Sequence, residues 1–407
     1  MKVLFVANGL THYYNLVLSR LNSEPGIELV VIAPGGHGAH LGEGVHQTKD
    51  GINFKVIELT ETQRFGFYTT FKGLAGVLLQ ERPDAVIVFP SYLLCFLVDP
   101  SVVLAMRNIR AGLILKSIPF RLLSYQEARN EVPRGFARLP RPINRVLLGT
   151  GIVQLARRLL LAINKRSLCL PDAHVNYVEA YDLWASYGVA REKIIITRNS
   201  PDTVLLFSVK DALANAPPIL PRNPYRLLHI GRLVEWKRVD LLMRVFTRVK
   251  ERFPKAELLV VGTGPEEALL KKLHKDLKLG ASVTFTGGVY DPRLLGQYYV
   301  ASSLYVLAGM GGLSINEAMC FGLPILCSVC DGTEKVLVRE GVNGRYFRDG
   351  DEDDLFEKII WFFDHTEQLQ EMGRKSAEII RNEVNIRTVL DGYMQALQYV
   401  QKHKQKA

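Results

Sequence analysis

Arg232 closes the run Leu-Leu-His-Ile-Gly-Arg, and Lys237 follows five residues later. An apolar run of this kind reads as a buried strand, so both cations stand just past its carboxyl end. A guanidinium fork with an ammonium beside it can grip a diphosphate, although two surface cations flanking a loop would leave the same trace. A second signal begins at Ala308-Gly-Met-Gly-Gly-Leu-Ser-Ile-Asn-Glu-Ala-Met319, where a strand runs into a Gly-rich turn and Ser314 opens a helix carrying Glu317. Glycines let a backbone approach a ligand closely, and unpaired N–H groups at a helix start favour phosphate oxygens. The same letters spell Ser-Ile-Asn-Glu, a capping box in which Ser314 and Glu317 satisfy each other's backbone donors. Asn8-Gly-Leu-Thr-His12 and Gly262-Thr-Gly-Pro265 are further Gly-bearing turns at strand ends, and most such turns are only turns. Cys327-Ser-Val-Cys330 has a redox or zinc spacing but lacks a second Cys pair, so structural thiols are expected. His12, His37, His174 and His229 are scattered, and no metal site is expected.

Alternating strands and helices must position these residues, and the chain supplies them. Runs rich in Val, Ile and Leu at 2–7, 28–34, 54–59, 84–90, 112–118, 174–178 and 193–197 read as buried strands. Most are far enough apart to hold a helix between them, the rhythm of βαβ units and of a parallel sheet covered on both faces. The second half repeats it at 225–230, 257–261, 282–286, 303–307, 324–327 and 344–347, with amphipathic helices at 240–252, 265–279 and 354–365. A polar, Pro-rich stretch from 199 to 224 separates the halves. The expected fold is α/β, with two Rossmann-like domains facing each other across a cleft. They span 1–203 and 204–385, and a C-terminal helix over 386–407 returns to the first. Ligands of such sheets bind beyond the carboxyl ends of the strands, where Arg232 and the Gly309 turn fall.

With 407 residues, two domains are the natural count. A composition of 48% hydrophobic and 23% charged residues excludes disordered, collagenous and coiled-coil chains. Five Cys exclude a disulfide scaffold and fit a reducing compartment. The first residues read as a buried strand rather than a secretory signal. The uncharged stretch 85–98 contains Pro90 and is too short to cross a bilayer.

Charge is the unusual feature. From Arg107 to Arg166 there are 13 basic residues and two acidic ones, a net of +11 against +10 for the whole chain. These residues mix Arg with apolar runs, such as Phe120-Arg-Leu-Leu and the stretch from Val146 to Leu161. An amphipathic basic surface of that kind suits anionic lipid headgroups, whereas a solvated helix face over buried Leu is the plainer account. No recognition motif for nucleic acid accompanies it.

Taken together, the second half resembles glycosyltransferase family 4, the retaining, nucleotide-sugar-dependent enzymes of the GT-B fold. The resemblance runs from about 225 to 364. It rests on Gly231, Arg232 and Lys237, on Val-Val-Gly-Thr-Gly-Pro from Val260, and on Val-Thr-Phe-Thr-Gly at 283–287. Gly-Gly-Leu-Ser-Ile-Asn-Glu-Ala-Met at 311–319, Phe-Gly-Leu-Pro-Ile at 321–325, Asp331-Gly-Thr-Glu and Glu340-Gly-Val-Asn-Gly344 continue it in order.

The resemblance implies roles residue by residue. Arg232 and Lys237 match the pair that neutralises the donor diphosphate, and Glu317 matches the carboxylate that accepts hydrogen bonds from the ribose. Leu313 and Ser314 fall where backbone amides meet phosphates, while Gly9, Gly231, Gly262 and Gly264 match donor-side glycines. The family usually carries a second glutamate eight positions before Glu317, where this chain has Gly309. Sugar contacts are therefore expected from the backbone around Met310, Gly311 and Gly312, or from other side chains. His12 and Tyr13 in the first loop, Ser91 after the fourth strand, and Lys116, expected to face the cleft, are candidates for acceptor or sugar contacts.

The implied reaction moves a sugar from a nucleoside diphosphate, UDP by default, to a hydroxyl of a glycan or lipid-linked glycan in polysaccharide or lipopolysaccharide assembly. No cofactor or metal is required, the configuration is retained, and the location is the cytoplasmic face of a membrane. The alternatives are a non-hydrolysing sugar-nucleotide epimerase and a catalytically degenerate scaffold.

Overall fold

The computed structural model describes residues 1–42, 44–64, 68–118, 122–130, 152–330 and 332–404. In the first half the strands are β1 (Lys2–Val6), β2 (Glu28–Pro34), β3 (Lys55–Leu59), β4 (Glu61–Arg64), β5 (Tyr68–Phe71), β6 (Ala85–Val88), β7 (Gly112–Ser117), β8 (Ala173–Asn176) and β9 (Ile194–Ile196). Seven of them form one sheet in the order β3-β2-β1-β6-β7-β8-β9. Every pairing in it is parallel. Leu4, for example, sits opposite Val30 on one side and Val86 on the other, and all three are fully buried. Burial on both faces explains why these strands are unbroken apolar runs rather than alternating ones.

The second half contains β10 (Arg226–Ile230), β11 (Glu257–Val261), β12 (Val283–Gly287), β13 (Leu304–Leu307), β14 (Ile325–Ser328) and β15 (Gly344–Phe347). They form a second parallel sheet, ordered β12-β11-β10-β13-β14-β15. The order reverses between β10 and β13, which is the switch point where ligands of such sheets bind. Each strand expected from the apolar runs is present, with ends shifted by two residues at most. The antiparallel hairpin of β4 and β5 was not expected. Glu-Thr-Gln-Arg carries no apolar signal, because the hairpin lies at the rim over the Pro90–Val98 helix and three of its first four residues are exposed.

The two units are tied at several places. Asp202 caps the Thr203–Leu213 helix through the Leu205 amide (3.1 Å), and its other oxygen accepts from Arg20 Nε of the first unit (2.7 Å). The final helix, Ile386–Lys404, returns to the first sheet, where Val389, Tyr393, Leu397 and Val400 share a core with Val3, Phe5 and Val175. From the first unit, the His46 ring reaches the second and stacks on Tyr290 at 4.0 Å.

No single described helix is long and apolar enough to cross a bilayer. The pair Pro90–Val98 and Pro100–Ile109, bent by 84°, meets that test only jointly, and it buries Tyr92, Cys95, Phe96 and Ala105 in the first core. Within the basic 107–166 stretch, Phe120, Arg121, Glu131, Arg134, Arg138, Arg141, Arg145 and the run from Val146 to Gly151 lie outside the described residues, as does Asp331.

Candidate functional site

A cavity of about 740 Å³ lies between the two units at the β10–β13 switch point. That volume suits a small-molecule ligand with two or three rings. His12 and Tyr13 line it from the first unit, Arg232, Trp236, Lys237 and Glu317 from the second. Parallel β10 and β13 end side by side, so the loops that follow them meet. This brings together residues 80 positions apart in the chain.

Lys237 ends a short turn, Glu235–Lys237, and is buried. Its Nζ donates to the carbonyls of Met310 (2.8 Å) and Gly311 (2.6 Å), so the ammonium ties the β10 loop to the Gly-rich turn after β13. Arg232 lies 5.8 Å from the centroid of the Trp236 ring, and its guanidinium abuts Gly42 of the first unit. His229, beneath them, is held neutral with a pKa near 4, first by burial and then by Lys237. The positive charge of this wall therefore comes from Arg232 and Lys237.

Glu317 is partly exposed on the cavity wall, and desolvation by the surrounding protein pushes its carboxyl up to about 7 against the opposing pull of the Tyr299 hydroxyl, which donates to it at 2.9 Å. Tyr305 lies within hydrogen-bond distance of Ser314 Oγ (2.6 Å) and the Ile230 carbonyl (3.1 Å). These contacts overturn the capping-box expectation. The helix Ser314–Cys320 has Leu313 at its cap position, with no side-chain cap bond. Ser314 and Glu317 instead turn inward, where buried tyrosine hydroxyls compete successfully for them. Stacking of Tyr299 on Phe321 (4.9 Å, 7°) fixes the ring that carries one of those hydroxyls.

Gly309 is closed off rather than vacant. A Cβ there would lie 2.1 Å from the Trp236 carbonyl oxygen, which already accepts a hydrogen bond from the Met310 amide at 2.8 Å. The β10 loop is laid across this position, and no side chain fits. Gly262 serves a similar close approach: φ is +148°, and a Cβ would meet the Gly231 carbonyl at 1.9 Å.

Gly231, Gly262, Met310, Gly311, Gly312, Leu313 and Ser314 line the cavity beside the charged residues. Gly264 lies outside the lining and packs against the Leu233 backbone. Gly9 packs against Gln47 and Leu41, and Ser91 reaches Asn8 at 3.4 Å. Lys116 does not face the cleft as expected. It is 1% exposed and boxed by the rings of Tyr177 (4.2 Å), Tyr393 (5.1 Å) and Tyr14 (5.3 Å). The returning helix supplies Tyr393 and closes this box, which strand alternation alone does not disclose.

His12 lies on the cavity wall, its pKa lowered by burial and by His46. Among the described residues no group of three or more His, Cys, Asp or Glu side chains is placed to hold a metal ion. Sequence reasoning missed Trp236 and Tyr299. Adjacency to Lys237 could have flagged the tryptophan, whereas no spacing links Tyr299 to Glu317.

Residues 214–379 match the family model of glycosyl transferases group 1. An uncharacterized glycosyltransferase of Haemophilus influenzae is 30% identical over 174 residues, covering 40% of this chain and 48% of that protein. The chain spans about half the length of the curated relatives it matches. Among solved structures, a glycosyltransferase from Rickettsia africae superposes with a TM-score of 0.68 at 14% identity, covering 98% of both chains. The Anabaena protein HepE, in complex with UDP, superposes with a TM-score of 0.66 at 16% identity, over 98% of this chain and all of that one. The architecture is a GT-B fold, and its second unit carries the sequence pattern of glycosyl transferases group 1.

Proposed function

We propose that the protein is a retaining glycosyltransferase of family 4. It moves a sugar from a nucleoside diphosphate, UDP by default, to a hydroxyl of a glycan or lipid-linked glycan in cell-surface polysaccharide or lipopolysaccharide assembly, on the cytoplasmic side. The observation that carries this reading is the convergence of Arg232, Lys237 and Glu317 on one cavity at the switch point. The match over 214–379 and the UDP bound to HepE support it.

In this reading Arg232 meets the diphosphate as a planar fork, and Lys237 fixes the turn that faces it. Glu317 accepts hydrogen bonds from the ribose hydroxyls, a role that needs its carboxylate ionised. The acceptor oxygen attacks the anomeric carbon on the face that the diphosphate leaves. As the carbon–oxygen bond to phosphate breaks, the departing phosphate oxygen takes the acceptor's proton. Charge gathering on the leaving group is offset by the two cations, with no metal ion and no enzymic nucleophile needed. Closure of the cleft excludes water.

A thermal-shift panel of UDP, GDP, ADP, CMP and TDP tests this reading on wild type, Arg232→Ala and Glu317→Ala. One diphosphate should raise the melting temperature of the wild type, and both variants should lose the shift. A folded protein that responds to none of them would sink the reading. One observation favours a second reading, a scaffold that holds nucleotide without turning it over: the Trp236 carbonyl fills the space where the family's other carboxylate would stand. Release of UDP from UDP-sugars in the presence of acceptor separates the two readings.

A further inference from the structure

Among the described residues, the large aromatic side chains left exposed are Tyr13, Trp236 and Tyr290, at 46%, 44% and 44%, and each lines the interdomain cavity. Exposed rings gathered at one cavity mark a surface that a ligand covers. Their settings differ. Tyr290 is covered by the His46 ring, whereas Trp236 stands between the two cations of the site, with the Arg232 guanidinium over its ring. The backbone that carries the indole is fixed. The Trp236 carbonyl accepts from the Met310 amide, and the next residue, Lys237, donates to the Met310 and Gly311 carbonyls. These bonds hold the indole at the start of the Gly-rich turn, the end away from Glu317. Acceptors at that end are already engaged: the carbonyls of Trp236, Met310 and Gly311 each take a hydrogen bond, and Gly309 has no room for a side chain. What the wall presents there is an aromatic face.

We propose that Trp236 is the platform on which the donor sugar lies, and that it selects a deoxy sugar. The inference rests on the reading of this cavity as a nucleotide-sugar site and names the sugar class for it. The parts of such a donor follow one another in line. With the ribose at Glu317 and the diphosphate at Arg232, the sugar falls at the start of the turn, beside the indole. An aromatic ring holds a pyranose by dispersion and by its negative face against carbon–hydrogen bonds. The same face is a weak acceptor, so a hydroxyl turned toward it is buried without a full partner. Replacing that hydroxyl by hydrogen, or a hydroxymethyl by a methyl, removes the cost and adds apolar contact. The nucleobase is the rival occupant of the ring, but it lies beyond the ribose, at the other end of the donor.

Calorimetric titration of the full chain tests this with UDP, UDP-glucose and the UDP conjugates of 3-, 4- and 6-deoxyglucose, the positions away from the anomeric carbon. Another diphosphate selected by the thermal-shift panel replaces UDP throughout. One deoxy conjugate should bind about tenfold tighter than the glucose parent, within what an apolar wall achieves against one added hydroxyl. Trp236→Ala should erase that preference while the free diphosphate binds within about twofold of wild type, and Trp236→Phe, which keeps a ring, should retain most of it. The preference is a ratio taken on one protein, so partial unfolding of a variant does not move it. Binding of the diphosphate without a deoxy preference, or with one that survives Trp236→Ala, overturns the proposal and leaves the nucleotide-site reading standing. Equal losses of free diphosphate and conjugates in Trp236→Ala overturn it in favour of a ring stacked on the base. A folded wild type that binds neither diphosphate nor conjugate overturns the reading beneath it as well.

Discussion

Glu317, partly exposed, and Lys116, fully buried, are ionisable side chains near the carboxyl ends of the two sheets, and both are brought to a pKa of about 7 mainly by desolvation. Their surroundings differ. Glu317 has one hydroxyl partner and an open cavity in front of it. Lys116 has three ring faces and no opening. A perturbed pKa marks desolvation in both cases, but a candidate binding role in only one. What the group faces decides, and the rings that hold Lys116 give its ammonium the compensation that burial alone removes.

The contrast can be broken by substitution. Gly309→Glu should have the largest effect, lowering unfolding free energy by about 3 kcal/mol in denaturant titrations, because the Trp236 carbonyl occupies the only space for a side chain. A stable variant with altered sugar preference would show that the wall is softer than the Lys116 box. Glu317→Ala should weaken nucleotide affinity by about 10- to 100-fold in calorimetry, the loss of hydrogen bonds to a charged group. Lys116→Met should leave that affinity within about twofold, since the residue lies behind Tyr177. Comparable losses at both positions would erase the distinction. Tyr299→Phe should cost about fivefold in affinity by releasing the Glu317 carboxyl.

Acidity sharpens the comparison, because the two groups respond in opposite senses. Nucleotide affinity should rise as pH climbs through about 7, where Glu317 ionises, and Glu317→Gln should flatten that rise. For folding, Glu317 keeps its proton to about 7 in the native state but to only 4.5 when ordinary, so its contribution to stability falls across that window. Lys116 releases its proton near 7 when folded and near 10.5 when ordinary. The unfolded chain then binds more protons between those values, and stability climbs with pH. Lys116→Met should therefore melt higher than wild type at pH 7, by about 2 °C, and lose that advantage toward pH 10.

Local composition made most of the scaffold readable. Strands such as 257–261 are apolar because both faces are covered, and that signal survives without any neighbours. The β4–β5 hairpin left none, since Glu61, Thr62 and Gln63 serve a rim rather than a core. Within the candidate site, Arg232, Lys237 and Glu317 were legible as residue types at strand ends. The tyrosines behind them were not, because Tyr299 and Tyr305 come from a helix and a strand whose approach only the tertiary fold fixes. Ser314 and Glu317 misled for the same reason: a capping pattern is local, whereas the buried hydroxyls that claimed both side chains are not. At Gly309 the sequence showed a missing carboxylate, and the fold supplied what fills its place.

The returning helix has a consequence for how the chain comes off the ribosome. The first sheet's core needs Tyr393, Leu397 and Val400, and the box around Lys116 needs Tyr393 as well. Domains made early in translation usually fold early. Here the first sheet, whose strands are all made by residue 196, waits for side chains near residue 400, while the second core is complete once Ile379, Ile380 and Val384 are made. The returning helix therefore couples the halves in synthesis, because the older sheet keeps one face open until residues that follow the whole second unit have been made.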